Sequence, residues 1–144
     1  MNFKRITKDN LKVAAKIYME CFNAAPWFEK WTMETSLKRI SQIVKEDNHF
    51  GLLTYLKEEP CAIIVGHEED YYDGTRCFIK ELCVDSTLQG KGIGSKTLDY
   101  YIEELKRKDI NHVSLQTLRN PKTLGFYEKA GFKEREHLIM LELA

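Results

Sequence analysis

An excess of charge of either sign is missing from this chain. Its 144 residues carry 22 Lys and Arg against 22 Asp and Glu, a formal net charge of zero. A general nucleic-acid binder is usually basic, so that partner is disfavoured. No apolar run approaches the ~20 residues that span a bilayer, and no apolar signal core follows Met1-Asn2-Phe3-Lys4-Arg5. The expectation is a cytoplasmic protein with neither membrane nor nucleic acid as partner. The four cysteines, Cys21, Cys61, Cys77 and Cys83, form no Cys-x-x-Cys pair and mostly lie among apolar neighbours. That suits reduced, buried thiols. There are no repeats, low-complexity tracts or linkers. With 43% hydrophobic and 31% charged residues, the composition predicts one globular domain over residues 1–144.

What the chain does have is a glycine-rich loop, Gln89-Gly90-Lys91-Gly92-Ile93-Gly94. Before it runs Cys77-Phe78-Ile79-Lys80-Glu81-Leu82-Cys83-Val84, the length and composition of a buried strand. After it, Leu98, Ile102 and Leu105 are spaced like one face of a helix over 95–107. The glycines therefore sit where a strand hands over to a helix. There the backbone turns sharply, and unpaired N–H groups attract anions, phosphates above all. Two common phosphate loops fail on spacing. Gly-x-x-x-x-Gly-Lys-Ser/Thr counted from Gly90 meets Ser95 at its second glycine, and Gly-x-Gly-x-x-Gly meets Ser95 at its third.

The spacing that fits is Gln-x-x-Gly-x-Gly, at Gln89, Gly92 and Gly94. It resembles the acyl-CoA pyrophosphate loop of the GNAT superfamily of N-acetyltransferases. Downstream, Asn120-Pro121-Lys122-Thr123-Leu124-Gly125-Phe126-Tyr127-Glu128-Lys129-Ala130-Gly131-Phe132 looks like that family's second hallmark, Asn…Phe-Tyr-x-x-x-Gly-Phe. The resemblance runs from about Phe3 onward and is weakest between Phe22 and Thr32.

Periodicity predicts strand, two helices, three strands, helix, strand, helix, strand. Thr7 and Thr32 read as caps of the first two helices. Asn120 and Pro121 read as the start of the last helix, and Gly131 as its end. Glu68 to Thr75 reads as an acidic loop, and Phe132 to Leu143 as a strand closing the sheet. The class is α/β. The resemblance implies the GNAT fold: a mixed central sheet of about six to seven strands, flanked by four helices, with the pantetheine arm between two splayed strands.

The reaction implied is transfer of an acetyl group from acetyl-CoA, the co-substrate, to a primary amine, with no metal. Three groups are needed. A base must deprotonate an ammonium whose reference pKa is about 10. Glu81, in the middle of an apolar strand, must be paired or useful, and burial raises a carboxyl toward a base's working range. His67, Glu68 and Glu69 are its rivals, and a salt bridge is the plain alternative. An oxyanion donor by resemblance is a main-chain N–H of Cys83 or Val84, on the strand that with Leu82 flanks the arm. Cys83 itself reads as an inert thiol. Tyr127 stands in the family's general-acid position, while Phe126 packs. Asn120 would bond the pantetheine arm. Gln89, Gly90, Lys91, Gly92, Ile93, Gly94 and Ser95 would hold the pyrophosphate, mostly through main-chain N–H groups, with Lys96 and Lys129 as weaker candidates for the 3′-phosphate. Phe22, Trp27, Phe28 and Trp31 are candidates for a wall of the acceptor pocket beside Glu81, or for rings that merely staple the N-terminal helices down.

The acceptor is a small-molecule or peptide amine. An aminoglycoside 6′-N-acetyltransferase-like activity, suggested by the tryptophans and the acidic loop, and a protein N-acetyltransferase are alternatives within the class. A non-catalytic acyl-CoA-binding module is the alternative outside it. Members of the superfamily are often dimers, so a homodimer is an expectation of the resemblance alone, with no interface named by the sequence.

Overall fold

Hydrophobic alternation builds the sheet first. The computed structural model describes residues 1–144. Its strands are β1 (Asn2–Arg5), β2 (His49–Leu56), β3 (Glu59–Tyr71), β4 (Gly74–Val84) and β5 (His112–Leu115). They lie in the order β1-β2-β3-β4-β5, antiparallel except for the parallel pair β4–β5. Ile63 and Val65 face one side of β3 and Ile64 the other, and all three are fully buried. A strand apolar on both faces needs cover on both.

Helices α1 (Leu11–Asn23) and α2 (Met33–Val44) supply one layer. Ala14, Ala15, Tyr18 and Cys21 of α1 and Ile40 and Ile43 of α2 meet Leu53, Ile63, Val65 and Cys83 there. Helix α3 (Ile93–Arg107) supplies the other, setting Leu98, Tyr101 and Leu105 against Phe50, Ile64, Cys77 and Ile79. The short α4 (Pro121–Lys129) follows β5.

The caps mostly match expectation. Thr32 and Thr35 form a reciprocal capping box. Asn120 accepts from the amides of Lys122 and Thr123, with Pro121 at the first helical position. Gly131 ends α4 in a left-handed conformation. Thr7 is different. Helix α1 starts after Asn10, whose side chain instead closes a turn by accepting from the Thr7 amide and donating to the Arg5 carbonyl.

Two sheet expectations are corrected. The sheet has five strands, not six to seven, and residues 133–144 form no strand. Their apolar side chains find no neighbouring strand and stand exposed. The acidic loop is shorter than expected, because β3 continues to Tyr71. Three of its four acids are matched: Glu68 with Lys108, Asp70 with Thr75, Asp73 with Arg76. All four cysteines are free and buried, as expected.

The ladder between β3 and β4 breaks once. Val65 pairs with Glu81 but Gly66 pairs with Ile79, which leaves Lys80 as an extra residue. A bulge of this kind reverses which face later residues occupy. Thus Cys77 and Ile79 point toward α3, while Cys83 points toward α1 and α2. Glu81, two residues before Cys83, shares the α1–α2 face. Opposite the bulge, a Cβ on Gly66 would lie 2.5 Å from the Phe78 carbonyl and 2.9 Å from the Tyr101 hydroxyl. That hydroxyl is fixed by its bond to Phe50 O. Gly66→Ala should therefore cost about 1–3 kcal/mol, read as a lower urea midpoint. An unchanged midpoint would show that the bulge is not tightly held.

Candidate active site

Beyond Ile79, β4 and β5 part. Their pairing covers only Arg76–Ile79 against His112–Leu115, so from Lys80 to Val84 the β4 edge has no strand partner. The gap opens where the bulge lies and leads to the glycine-rich loop.

The loop begins with Asp85, whose side chain caps the single turn Ser86–Leu88. Gly90 and Gly92 then take φ of 82° and 80°, a left-handed conformation that glycine adopts without penalty. No atom lies within 4 Å of where a Cβ on either would stand. Gly92 is the N-cap of α3, and no amide from Gly90 to Ser95 donates to another group of the chain. Several N–H groups are thus left without an acceptor at the positive end of a 15-residue helix, where anions are favoured. Gly94 serves differently: a Cβ there would press on Phe126 and Val84 at 3.2 and 3.3 Å. The Ile93 side chain is buried with Cys61 and Ala62, so only its amide faces a ligand. Lys91, Lys96 and Lys129 are exposed. Gln89 reaches back to the Val84 carbonyl at 3.4 Å.

On the other bank, Asn120 uses its side-chain oxygen as the α4 cap, which leaves its amide NH₂ free to donate. Tyr127 packs edge-on against Phe126 and Phe132. Burial, with the nearby charge of Glu81 second, pushes its phenol up to about 12. Tyr127 and Glu81 are therefore brought into one electrostatic neighbourhood, although 46 residues apart in sequence. Leu82 faces the second core and Val84 the small cluster around Ile93. The Cys83 thiol is buried, and burial raises it well above its usual value, as expected of an inert thiol.

The Glu81 side chain is 15% exposed, with Oε1 3.9 Å from Arg39. Its Oε2 is buried without a hydrogen-bond partner. Burial raises the carboxyl above its usual value, against the pull of the Tyr18 hydroxyl and the Arg39 guanidinium, while the charge of Glu29 adds to the rise. The plain alternative, a salt bridge, is present at the edge of contact distance; the Tyr18 hydroxyl also faces the carboxyl, but no group reaches Oε2 in full hydrogen-bonding geometry. The rivals are otherwise engaged. His67 donates to the Ile43 carbonyl at the end of α2, Glu68 pairs with Lys108, and Glu69 is exposed near the hairpin tip.

Four rings form one cluster, of which Tyr18 meets Glu81. Trp27 contacts Phe22, Phe22 contacts Tyr18, and Tyr18 meets Trp31 edge-on, with centroids 4.8–5.6 Å apart. Asn23 clamps both backbone groups of Trp31, whose indole donates to Glu29. Phe28 is not part of this wall: it is 71% exposed, with φ of 49°. Sequence reading missed Tyr18, Glu29 and Arg39. The i,i+4 spacing of Tyr18 and Phe22 on one helix was the available signal.

Strands thus part beside a helix start with free amides, and a buried carboxyl and a phenol lie near one another at the gap. The chain belongs to the acetyltransferase (GNAT) family, whose model matches residues 12–132. Solved structures share the fold. A protein from Clostridium difficile 630 described as a possible acetyltransferase superposes with TM-score 0.83 at 18% identity, covering 99% of this chain and 96% of that one. An aminoglycoside antibiotic 6′-N-acetyltransferase from Acinetobacter haemolyticus gives 0.76 at 16%, covering 100% and 99%. A predicted acetyltransferase from Clostridium acetobutylicum, solved with acetyl-CoA, gives 0.72 at 16%, covering 98% and 95%. At these identities the likeness is one of fold. A search of curated proteins returns no match. No helix is long and apolar enough to cross a membrane.

Proposed function

We propose that the protein transfers an acetyl group from acetyl-CoA directly to the primary amine of a small molecule or peptide. The observation that carries this reading is the buried, unpartnered Glu81 Oε2 at the mouth of the β4–β5 gap. A purely cofactor-binding module has no use for it, and it destabilises the fold.

The residues present suit acetyl-CoA. The free amides from Gly90 to Ser95 would take the pyrophosphate, with Lys91 adding charge. The unpaired β4 edge from Lys80 to Val84, lined by Leu82 and Val84, and the free NH₂ of Asn120 would take the pantetheine arm. When bound, acetyl-CoA supplies the activated acyl carbon. Glu81 removes a proton from the incoming ammonium, directly or through water. The amine nitrogen forms its bond to the acyl carbon, and a main-chain N–H of Cys83 or Val84 stabilises the oxyanion. The carbon–sulfur bond then breaks, releasing the thiolate, and the amine's second proton passes to water, because Glu81 already holds the first. Tyr127, held neutral, directs its O–H at the departing thiolate. With its pKa near 12, full proton transfer requires the same dry surroundings to raise the thiolate's basicity. Hydrogen-bond donation does not, so Tyr127→Phe should lower kcat about tenfold with little change in acetyl-CoA affinity. Full turnover in that variant would remove Tyr127 from the mechanism.

Tyr18, Phe22, Trp27 and Trp31 form the wall of the acceptor pocket, with Glu81 and Glu29 at its end. Aromatic faces beside carboxylates suit a cationic amine. The acidic hairpin tip is a poor attractor for it. Tyr71 lies six residues along β3 from Val65, the partner of Glu81, roughly 20 Å away. This removes one of the two arguments for an aminoglycoside in particular. Release of CoA thiol from acetyl-CoA against aminoglycosides, polyamines, amino acids and short peptides tests the proposal. A hit names the acceptor class. Acetyl-CoA binding with no turnover on any of them would favour the non-catalytic module.

A further inference from the structure

Glu81 has a cationic neighbour that the transfer chemistry does not use. Arg39, on α2, brings Nη2 to 3.9 Å from Glu81 Oε1, and its side chain is 30% exposed. The hydroxyl of the buried Tyr18 faces both groups. The Arg39–Glu81 approach is roughly 1 Å longer than a made guanidinium–carboxylate bond. An arginine placed only to neutralise a carboxylate closes that distance, often with both prongs of its fork. Here the fork is held off and stays partly open to solvent.

A base for amines gains nothing from such a cation. Arg39 pulls the Glu81 carboxyl down against its burial, and its charge repels an incoming ammonium. The arrangement makes sense when the acceptor brings an anion of its own. The separation then says how near that anion lies to the amine. In an α-amino acid, two bonds of about 1.5 Å join the nitrogen to the carboxyl carbon, which puts nitrogen and carboxylate oxygen roughly 3 Å apart. With charge-assisted hydrogen bonds of about 2.8 Å at each end, ammonium on Glu81 and carboxylate on Arg39 are made together across 3.9 Å. Pair and zwitterion also agree in net charge, zero against zero. A peptide N-terminus carries a neutral carbonyl at that position. A polyamine or an aminoglycoside brings only further cations and hydroxyls, and a second cation near Arg39 is penalised.

Apolar surface adjoins the charged pair. Tyr18 packs on Phe22 and Trp31, with ring centroids 4.9 and 4.8 Å away. Phe22 and Trp31 are only half-buried. Asn23 fixes the Trp31 backbone and Glu29 its indole, so this surface is set before an acceptor arrives. We propose that the acceptor is a free α-amino acid with an apolar side chain, its carboxylate held by Arg39 and its ammonium by Glu81. The assignment rests on the transfer reading above. The α-nitrogen bonds the acetyl carbon, the carbon–sulfur bond breaks, and the products are an N-acetyl amino acid, CoA thiol and one proton.

Leucine and 3-methylbutylamine differ only in the carboxylate, which makes them the deciding pair. With acetyl-CoA saturating, leucine should exceed the amine about 100-fold in kcat/KM, and should exceed glycine about tenfold. In Arg39→Met the KM for leucine should rise about 100-fold with kcat nearly unchanged, while 3-methylbutylamine keeps or improves its kcat/KM. Arg39→Lys, which keeps the charge and loses the fork, should recover part of the loss. Binding is also readable without turnover, because the chain's two tryptophans, Trp27 and Trp31, both belong to the ring cluster. With CoA present, leucine should change their fluorescence saturably, and Arg39→Met should lose that response over the same concentrations. Equal turnover of leucine and its amine, or an Arg39→Met defect shared alike by both, would overturn the assignment and leave the transferase standing. Leucine and glycine turned over equally would remove the apolar side chain from it. No turnover on any amine would overturn the transfer reading and this assignment together.

Discussion

Glu81→Gln should lower kcat for amine acetylation by about 10²–10³-fold, the range expected when a general base is removed, with acetyl-CoA affinity unchanged. Gln keeps the size of the side chain and loses its capacity to take a proton. The wild-type pH profile follows from the site. Burial raises the Glu81 carboxyl, and only the deprotonated form acts as base. Activity should therefore fall on the acid side through a pKa above the usual carboxylate range, and that limb should vanish in the variant. The same residue bears on stability with the opposite sign. A carboxyl whose folded pKa lies above its unfolded value favours the folded state at low pH and loses that contribution as pH rises through the folded pKa. Above that folded pKa the wild type carries a buried charge, and Glu81→Gln, which is neutral, should there raise stability by about 1 kcal/mol, or about 3 °C in Tm. A variant that is slower and more stable identifies a functional carboxylate. One that is slower and less stable identifies the Arg39 pair as structural instead. Full activity would exclude Glu81 as the base.

Gly92→Val should weaken acetyl-CoA binding about 100-fold or more. Two effects combine. At φ of 80° a β-branched side chain costs about 1–3 kcal/mol, so the loop would relax and misalign its amides. The added carbons would also occupy the open space beside Gly92, where the pyrophosphate would lie. Each 1.4 kcal/mol is a factor of ten in affinity, so about 3 kcal/mol gives the stated loss. Because that space is empty of protein atoms, the fold itself should survive, which a thermal melt without ligand would check. Unchanged affinity by calorimetry would remove the loop from cofactor binding. The variant separates the two halves of the proposed site, since the Glu81 neighbourhood is untouched by it.

Much of this was legible in the sequence because it rests on local chemistry. Gln89 to Gly94 between an apolar strand and a helical repeat specifies an amide-lined turn, since only glycine holds positive φ cheaply. The Thr32 cap and the Asn120-Pro121 start depend on side chains a few residues from the backbone they satisfy. Glu81 stood out as a carboxylate inside an apolar run, whatever its surroundings. Other features arise only when distant segments meet. Simple alternation puts Glu81 on the face of Ile79. The extra residue Lys80 reverses that, because β3 opposes four residues of β4 with three, and so turns Glu81 toward Tyr18 and Arg39. The aromatic wall joins α1 to the irregular segment after it, where no period exists to read. The strand expected over 132–143 has the right alternation, but a strand also requires a partner, and its own chain offers none along its path. Side-chain pattern and turn chemistry by themselves determined the four helices, the five strands that form and the glycine-rich turn. Which face the carboxylate meets, and whether an apolar tail is buried, only the tertiary structure decided, because both depend on pairing between segments far apart in the chain.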